Sequence, residues 1–346
     1  MTPAPIVRTV RSADGTEIAL STSGAGPVLI LVAGPFDDRG SDVQVGLTAS
    51  LETSYSVTRY DRRGRGESGN TEPYAVAREV EDLRAVIDAV TSSDPTEAEA
   101  GSEAGAPLPA DAGAAPAPGA TTTPTAPSIA DLVADLPEDA TTPDDAGALD
   151  DPGTMDRLGR NASGSGTVRV LALCAGAGLV LHAMADGAPV DSAVLYEPSY
   201  RPGTRPGREG AENIVVLKDR IARGRRAAAV SYFLVEVLGM PRIAPFLLRL
   251  QPRTWRRLLA GAPTLPHDAM VMDGFALDHE RFAGIDRPVL VVAGSNSTDW
   301  LKIAAQETVH AIRGSEHTVL QGQTHLVDPA TLAEAAARFF GAARRT

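Results

Sequence analysis

The 346-residue chain has a single cysteine, Cys174, which excludes an internal disulfide and any metal site built from several cysteines. Whatever that thiol does, it does without a cysteine partner in the same chain. No run approaches the roughly 20 consecutive apolar residues that span a bilayer. The opening MTPAPIVRTVRSADGTEIAL also lacks a charged segment followed by an apolar one, so a cytoplasmic protein with no membrane partner is expected. A basic stripe suited to phosphates is missing too, apart from arginines around Arg220–Arg226 and Arg253–Arg257, and nucleic acid is not an expected partner. The formal charge of −12 carries no message about substrate, because fourteen Asp and Glu against two Arg lie between Ser92 and Gly166 and the remainder is near neutral.

That same stretch, 92–166, contains no aromatic residue and is rich in Ala, Pro, Gly and Thr. Such a composition buries too little apolar area to offset its ordering entropy, so it is expected to be a disordered acidic insertion, with SIADLVADL from Ser128 as its one candidate helix. Elsewhere the 43% hydrophobic content suffices for a real core.

Short β-branched runs bounded by Gly and Pro predict strands at Thr16–Leu20, Val28–Val32 and Ser54–Tyr60. Val76, Val80, Leu83 and Ile87 recur at helical spacing within Ala75–Val90. After the insertion VRVLAL, from Val168, reads as a buried strand running straight into a helix, and Asp191–Tyr196 as another strand. From Arg201 to Ala283 the chain reads as amphipathic helices broken by Pro and Gly, with ENIVVLKDRIARG and SYFLVEVLGM the clearest. Pro288–Ala293 and His317–Gln321 are predicted strands, Trp300–Ile312 and Pro329–Phe340 predicted helices. Strands alternating with helices imply an α/β fold with a mostly parallel sheet covered on both faces.

A nucleophile elbow needs small residues two before and two after the nucleophile, because the chain reverses so sharply that larger side chains collide with neighbouring backbone. Ala172-Leu173-Cys174-Ala175-Gly176 meets that demand, with Cys in place of the usual Ser. A thiol reaches its attacking, ionised state more easily than a hydroxyl, and a helix N-terminus and an imidazole both favour that state. His325, in QGQTHLVDP, falls in the loop after the last strand, where an open α/β sheet gathers its catalytic groups. His182 is expected to be packed within the elbow helix, and His267, His279, His310 and His317 to be structural or surface residues.

The order YDRRGRGES, nucleophile elbow, YEP and GQTH resembles the α/β-hydrolase superfamily, in particular bacterial single-domain hydrolases, over almost the whole chain outside the insertion. The resemblance implies Cys174 as nucleophile and His325 as general base. It also implies that the backbone N–H of Ala175 is one oxyanion donor, with the other coming from the loop Ala33-Gly34-Pro35-Phe36. Pro35 has no N–H to offer, so Phe36 is the candidate there. Two residues compete for the triad acid: Glu197, at the end of its strand in LYEPSY, and Asp299, in the turn GSNSTDW. Asp61, Arg62 and Ser68 of the YDRRGRGES motif are expected to brace a loop rather than to react.

The expected organisation is a hydrolase core in three pieces, 1–91, 167–200 and 284–346, interrupted by the insertion 92–166 and a helical cap 201–283. The resulting reading is an esterase- or thioesterase-like hydrolase of an ester, thioester or lactone, with no cofactor and no metal. Its expected partner is a small apolar acyl substrate held near Pro35, Phe233 and Trp255. An acyltransferase or cyclase on the same site, or a binding protein that kept the fold and lost catalysis, are the alternatives.

Overall fold

The computed structural model describes residues 5–92, 167–203 and 208–343. The stretch 93–166, on which the expected insertion and its helix at Ser128 fall, lies outside the described residues. Strands β1 (Ile6–Arg11), β2 (Glu17–Ser23), β3 (Val28–Val32), β4 (Ser56–Tyr60), β5 (Arg169–Leu173), β6 (Ser192–Tyr196), β7 (Val289–Gly294) and β8 (Glu316–Leu320) form one sheet in the order β1-β2-β4-β3-β5-β6-β7-β8. The pairings β1–β2 and β2–β4 are antiparallel and all later ones parallel.

Helices cover both faces. On one side lie α2 (Val76–Thr91) and α3 (Ala175–Ala185), with the segment that joins β6 to β7. On the other lie α1 (Asp42–Leu51) and α11 (Pro329–Ala342). The strands divide between these cores by the period of two that a pleated strand imposes: Ile30 and Val32 face α2 and α3, Leu29 and Leu31 face α1 and α11. Because both faces are buried, β5 reads as an unbroken apolar run in which even Arg169 is covered. The joining segment contains α4 (Arg208–Ala222), α5 (Arg226–Tyr232) with a π-helical turn at Phe233–Val237, α6 (Ala244–Arg249), α7 (Pro252–Gly261), α8 (Leu265–Val271) and α9 (His279–Phe282). Helix α10 (Asp299–Ala311) then connects β7 to β8. Among the described residues no helix is long and apolar enough to cross a membrane.

Two elements go beyond what the sequence predicted. β1 is an edge strand whose residues are mostly exposed, so it lacks the apolar alternation of a half-buried strand. Helix α1 turns Gln44, Leu47, Thr48 and Leu51 inward. The spacing is helical, but two of the four positions are polar, which mutes the pattern.

Strand register sets up the site. Val32 pairs with Ala172, Leu173 with Tyr196, and Tyr196 with Val292, so β3, β5, β6 and β7 end side by side. The residues that follow them emerge along one rim of the sheet.

Candidate active site

The first of these residues is Cys174. It leaves β5 at φ 51° and ψ −122°, and α3 begins at the next residue. A non-glycine residue with positive φ is strained, and the cost is borne where the surroundings over-determine it. Here the Cys174 N–H donates to Tyr196 O at 2.9 Å, tying the elbow to the end of β6. A side chain at Gly176 would bring its Cβ to 2.6 Å from Ala33 O and 2.8 Å from Val32 O, so only glycine lets α3 pack this closely on β3. The sulfur is nearly buried, with the residue 7% exposed, and lies 2.9 Å from Ser199 Oγ.

Glu197 follows β6 and, like Cys174, has positive φ, 45°. Its carboxylate is fully buried and accepts three hydrogen bonds. Oε1 takes the Gly294 N–H at 2.8 Å and the Ser297 hydroxyl, and Oε2 takes His325 Nδ1 at 2.7 Å. Burial works to raise its pKa, but the hydrogen bond and charge of His325, with the Ser297 and Gly294 donors, outweigh it and hold the group low. The same ring lies within electrostatic reach of the Cys174 thiol. Burial acts to lower the ring's pKa, yet its bonds to Cys174 and Glu197 and their charges raise it from 6.5 to about 10. The loop carrying His325 is moored to β6 by the Tyr196 hydroxyl, which donates to Thr324 O.

The loop after β3 runs against the elbow: a Cβ at Gly34 would lie 3.2 Å from that of Cys174. Phe36 takes φ 62°, and its ring meets Phe233 edge to face at 5.5 Å. The carbonyls of this loop are held from below by the YDRRGRGES motif, Arg65 Nη1 donating to Gly34 O at 2.5 Å and Arg62 Nη1 to Ala33 O at 3.4 Å. Both guanidinium groups converge on Oδ1 of fully buried Asp268 in α8, at 2.9 Å from Arg62 and 2.5 Å from Arg65, while Arg62 Nε reaches Glu79 at 2.6 Å. Burial would raise the Glu79 pKa, but Arg62 prevails and brings it down to about 2. Asp61 and Ser68 brace the same turn: Asp61 accepts the backbone N–H groups of Arg39 and Glu67 at 2.7 and 2.9 Å, and Ser68 donates to Asp61 O at 2.6 Å.

The sequence left two acids open, and the geometry separates them. Asp299 is 81% exposed in its side chain, opens α10 and pairs with Lys302 at 2.8 Å, whereas Glu197 holds His325. An acid after β7 would need to turn back over the rim, but this one faces solvent. Phe233 is buried between Phe36 and Phe275, beside the loop after β3, while half-buried Trp255 lies under the Arg249 guanidinium at 5.0 Å. His182 bonds Val271 O at 2.9 Å inside the core, and His267 stacks on Tyr74 at 3.8 Å, where desolvation lowers its pKa to about 4. Sequence reasoning missed Ser199, whose contact with the sulfur depends on how the chain bends after Glu197-Pro198. Among the described residues no group of three or more His, Cys, Asp and Glu is placed to hold a metal ion.

Comparison of the structure with solved proteins gives a match over nearly the whole chain to an α/β hydrolase from Sphaerobacter thermophilus DSM 20745. That protein is 30% identical, with a TM-score of 0.68, covering 96% of this chain and 100% of the other. The chain belongs to the α/β-hydrolase family. An esterase from Rhodococcus sp. ECU1013 (17% identity, TM-score 0.54, 97% and 98% covered) and an enol-lactonase from Burkholderia xenovorans LB400 (14%, 0.54, 97% and 98%) share the fold. No family model matches the sequence, and no curated protein matches it. This member of the α/β-hydrolase family carries a cysteine at its elbow.

Proposed function

We propose that this α/β hydrolase cleaves an ester, thioester or lactone through a thioester intermediate on Cys174, with His325 as acid and base and Glu197 as the residue that orients it. The observation that carries the reading is the 2.7 Å hydrogen bond from His325 to buried Glu197, on the same rim as an elbow cysteine whose thiol acts on that ring. Transfer of the thiol proton to His325 leaves a thiolate beside an imidazolium, and Glu197 stabilises the latter without taking the proton. The thiolate attacks the substrate carbonyl carbon, and the carbonyl oxygen gains negative charge between the N–H groups of Ala175 and Phe36. Ala175 is suited to this because the first turn of a helix leaves its N–H groups without intrahelical partners. Collapse expels the alcohol or thiol, which receives the His325 proton. His325 then takes a proton from water as it attacks the thioester, and the acid leaves as the sulfur regains its charge.

Helices α4–α9 act as a cap, with Phe233 beside Phe36 favouring an apolar acyl group. If an alcohol or amine displaces water under the cap, the same steps give acyl transfer. A free catalytic thiol suits a reducing compartment, which supports the cytoplasm as its location. Pro35 in the oxyanion loop favours a second reading, a binding protein on a hydrolase scaffold, because one backbone donor is lost there.

Whole-protein mass spectrometry after incubation with a short-chain p-nitrophenyl ester separates these readings. An acyl adduct is expected on the wild type, none on Cys174→Ala, and a greatly slowed one on His325→Ala. A wild-type protein that gains no mass while hydrolysing nothing overturns the catalytic reading in favour of binding.

A further inference from the structure

We infer that Ser199 is a further catalytic residue, whose hydroxyl donates to the ionised Cys174 sulfur and so stabilises the thiolate. The inference rests on the catalytic reading of Cys174 and His325 given above, and adds a residue to it.

The Ser199 Oγ lies 2.9 Å from the Cys174 sulfur and 3.1 Å from Glu197 O, with Ser199 only 1% exposed. A hydroxyl has one hydrogen to give, so it serves one of these acceptors at a time. While the sulfur carries its proton, that hydrogen is shared between Ser199 Oγ and the His325 ring, and the hydroxyl donates to the Glu197 carbonyl. Once that proton has moved to His325, the sulfur can only accept, and the hydroxyl turns to it. The carbonyl bond given up is the longer of the two and joins neutral groups, whereas a bond to a charged acceptor is roughly twice as strong. Ser199 is 1% and Cys174 7% exposed, so solvent donors have little access to the place. When the sulfur becomes acylated its charge is gone and the hydroxyl returns to Glu197 O, so its position follows the charge on the sulfur through the cycle.

The consequence for reactivity has two signs. A hydrogen bond to a charged group corresponds to about a 10- to 150-fold larger thiolate population at a pH where the thiol is mostly protonated. Stabilising a thiolate also dulls it, because nucleophilicity falls with basicity by about the 0.4–0.5 power. In Ser199→Ala the net effect is therefore a loss of about three- to twentyfold in reaction rate on the acid side, with an alkaline plateau equal to or above that of the wild type.

Iodoacetamide alkylation of Cys174, followed by mass spectrometry across pH, tests this on wild type, Ser199→Ala and Ser199→Thr. The expected result is an acid-side loss in the alanine variant without loss of the plateau, and wild-type behaviour restored by threonine, which keeps the hydroxyl. Thermal unfolding checks that each variant is folded, and Ser199→Gly takes the place of alanine if that protein does not fold. A variant lacking the hydroxyl that alkylates with the wild-type pH profile, or that slows equally at all pH values, overturns the role of Ser199 and leaves Cys174 and His325 untouched. Failure of the catalytic reading looks different: the wild type itself then reacts no faster than a free thiol on the acid side.

Discussion

Replacing Glu197 by glutamine changes almost no volume, yet it should disable the imidazole in two ways. The carboxylate now accepts from Gly294 N–H and Ser297 through Oε1 and from His325 Nδ1 through Oε2. An amide keeps two of these partners only by placing its carbonyl toward Gly294 and Ser297, which aims its NH2 at the histidine. To avoid facing donor with donor, the ring must carry its proton on Nε2, and it then has no lone pair for the thiol proton. The imidazolium also loses its counter-charge. Counting one hydrogen bond to a charged group, about 1.5–3 kcal/mol, acylation should slow by about 10- to 150-fold. The burst of p-nitrophenolate in stopped flow measures it, with Asp299→Asn as the control expected to keep the wild-type rate. A Glu197→Gln protein within twofold of wild type, or a larger loss from Asp299→Asn, would refute the assignment of the acid.

The pH dependence of stability has a worked sign. His325 is raised from 6.5 to about 10, so its share of stability is fully present below pH 6.5 and is lost as pH rises through about 10. Glu197 is held below its ordinary 4.5, so its share is present above that pH and lost as pH falls through its lowered value. Melting temperature against pH should decline on both sides, and His325→Gln should flatten the alkaline decline between 6.5 and about 10. Asp268→Asn leaves two buried guanidinium groups without their shared carboxylate and should destabilise by about 3–5 kcal/mol in urea unfolding. Gly176→Ala drives a methyl to 2.6 Å from Ala33 O, so acylation should fall at least tenfold, by about 1.4 kcal/mol or more, while the protein stays folded by circular dichroism.

Much of this arrangement was legible from local pattern. The elbow is a requirement on adjacent residues, so Ala172, Cys174 and Gly176 reveal it directly, and the buried strands around it are written as unbroken apolar runs. His325 could be placed at the rim because loops there follow strand ends. The choice between Glu197 and Asp299 was not legible, since it depends on which of two rim residues turns inward across a gap in sequence of more than a hundred positions. Asp268 was out of reach for the same reason: nothing local marks one carboxylate among the helices as the partner of two arginines from YDRRGRGES. Ser199 sits two residues beyond Glu197 and carries no pattern of its own, because its value lies in a bend that only the folded chain makes.

The buried carboxylate of Asp268 also fixes how the mouth of the enzyme can move. Parting it from Arg62 and Arg65 would cost about 3–5 kcal/mol, confining such states to roughly one molecule in a hundred or fewer. The edge-to-face contact of Phe233 with Phe36 is worth only about 0.5–1.5 kcal/mol beyond its buried area. Helix α8 is thus bolted to the loop after β3 by charge, whereas the π-helical turn after α5 meets that loop through a ring contact. Losing the ring contact therefore leaves in place the two carbonyls that the arginines hold.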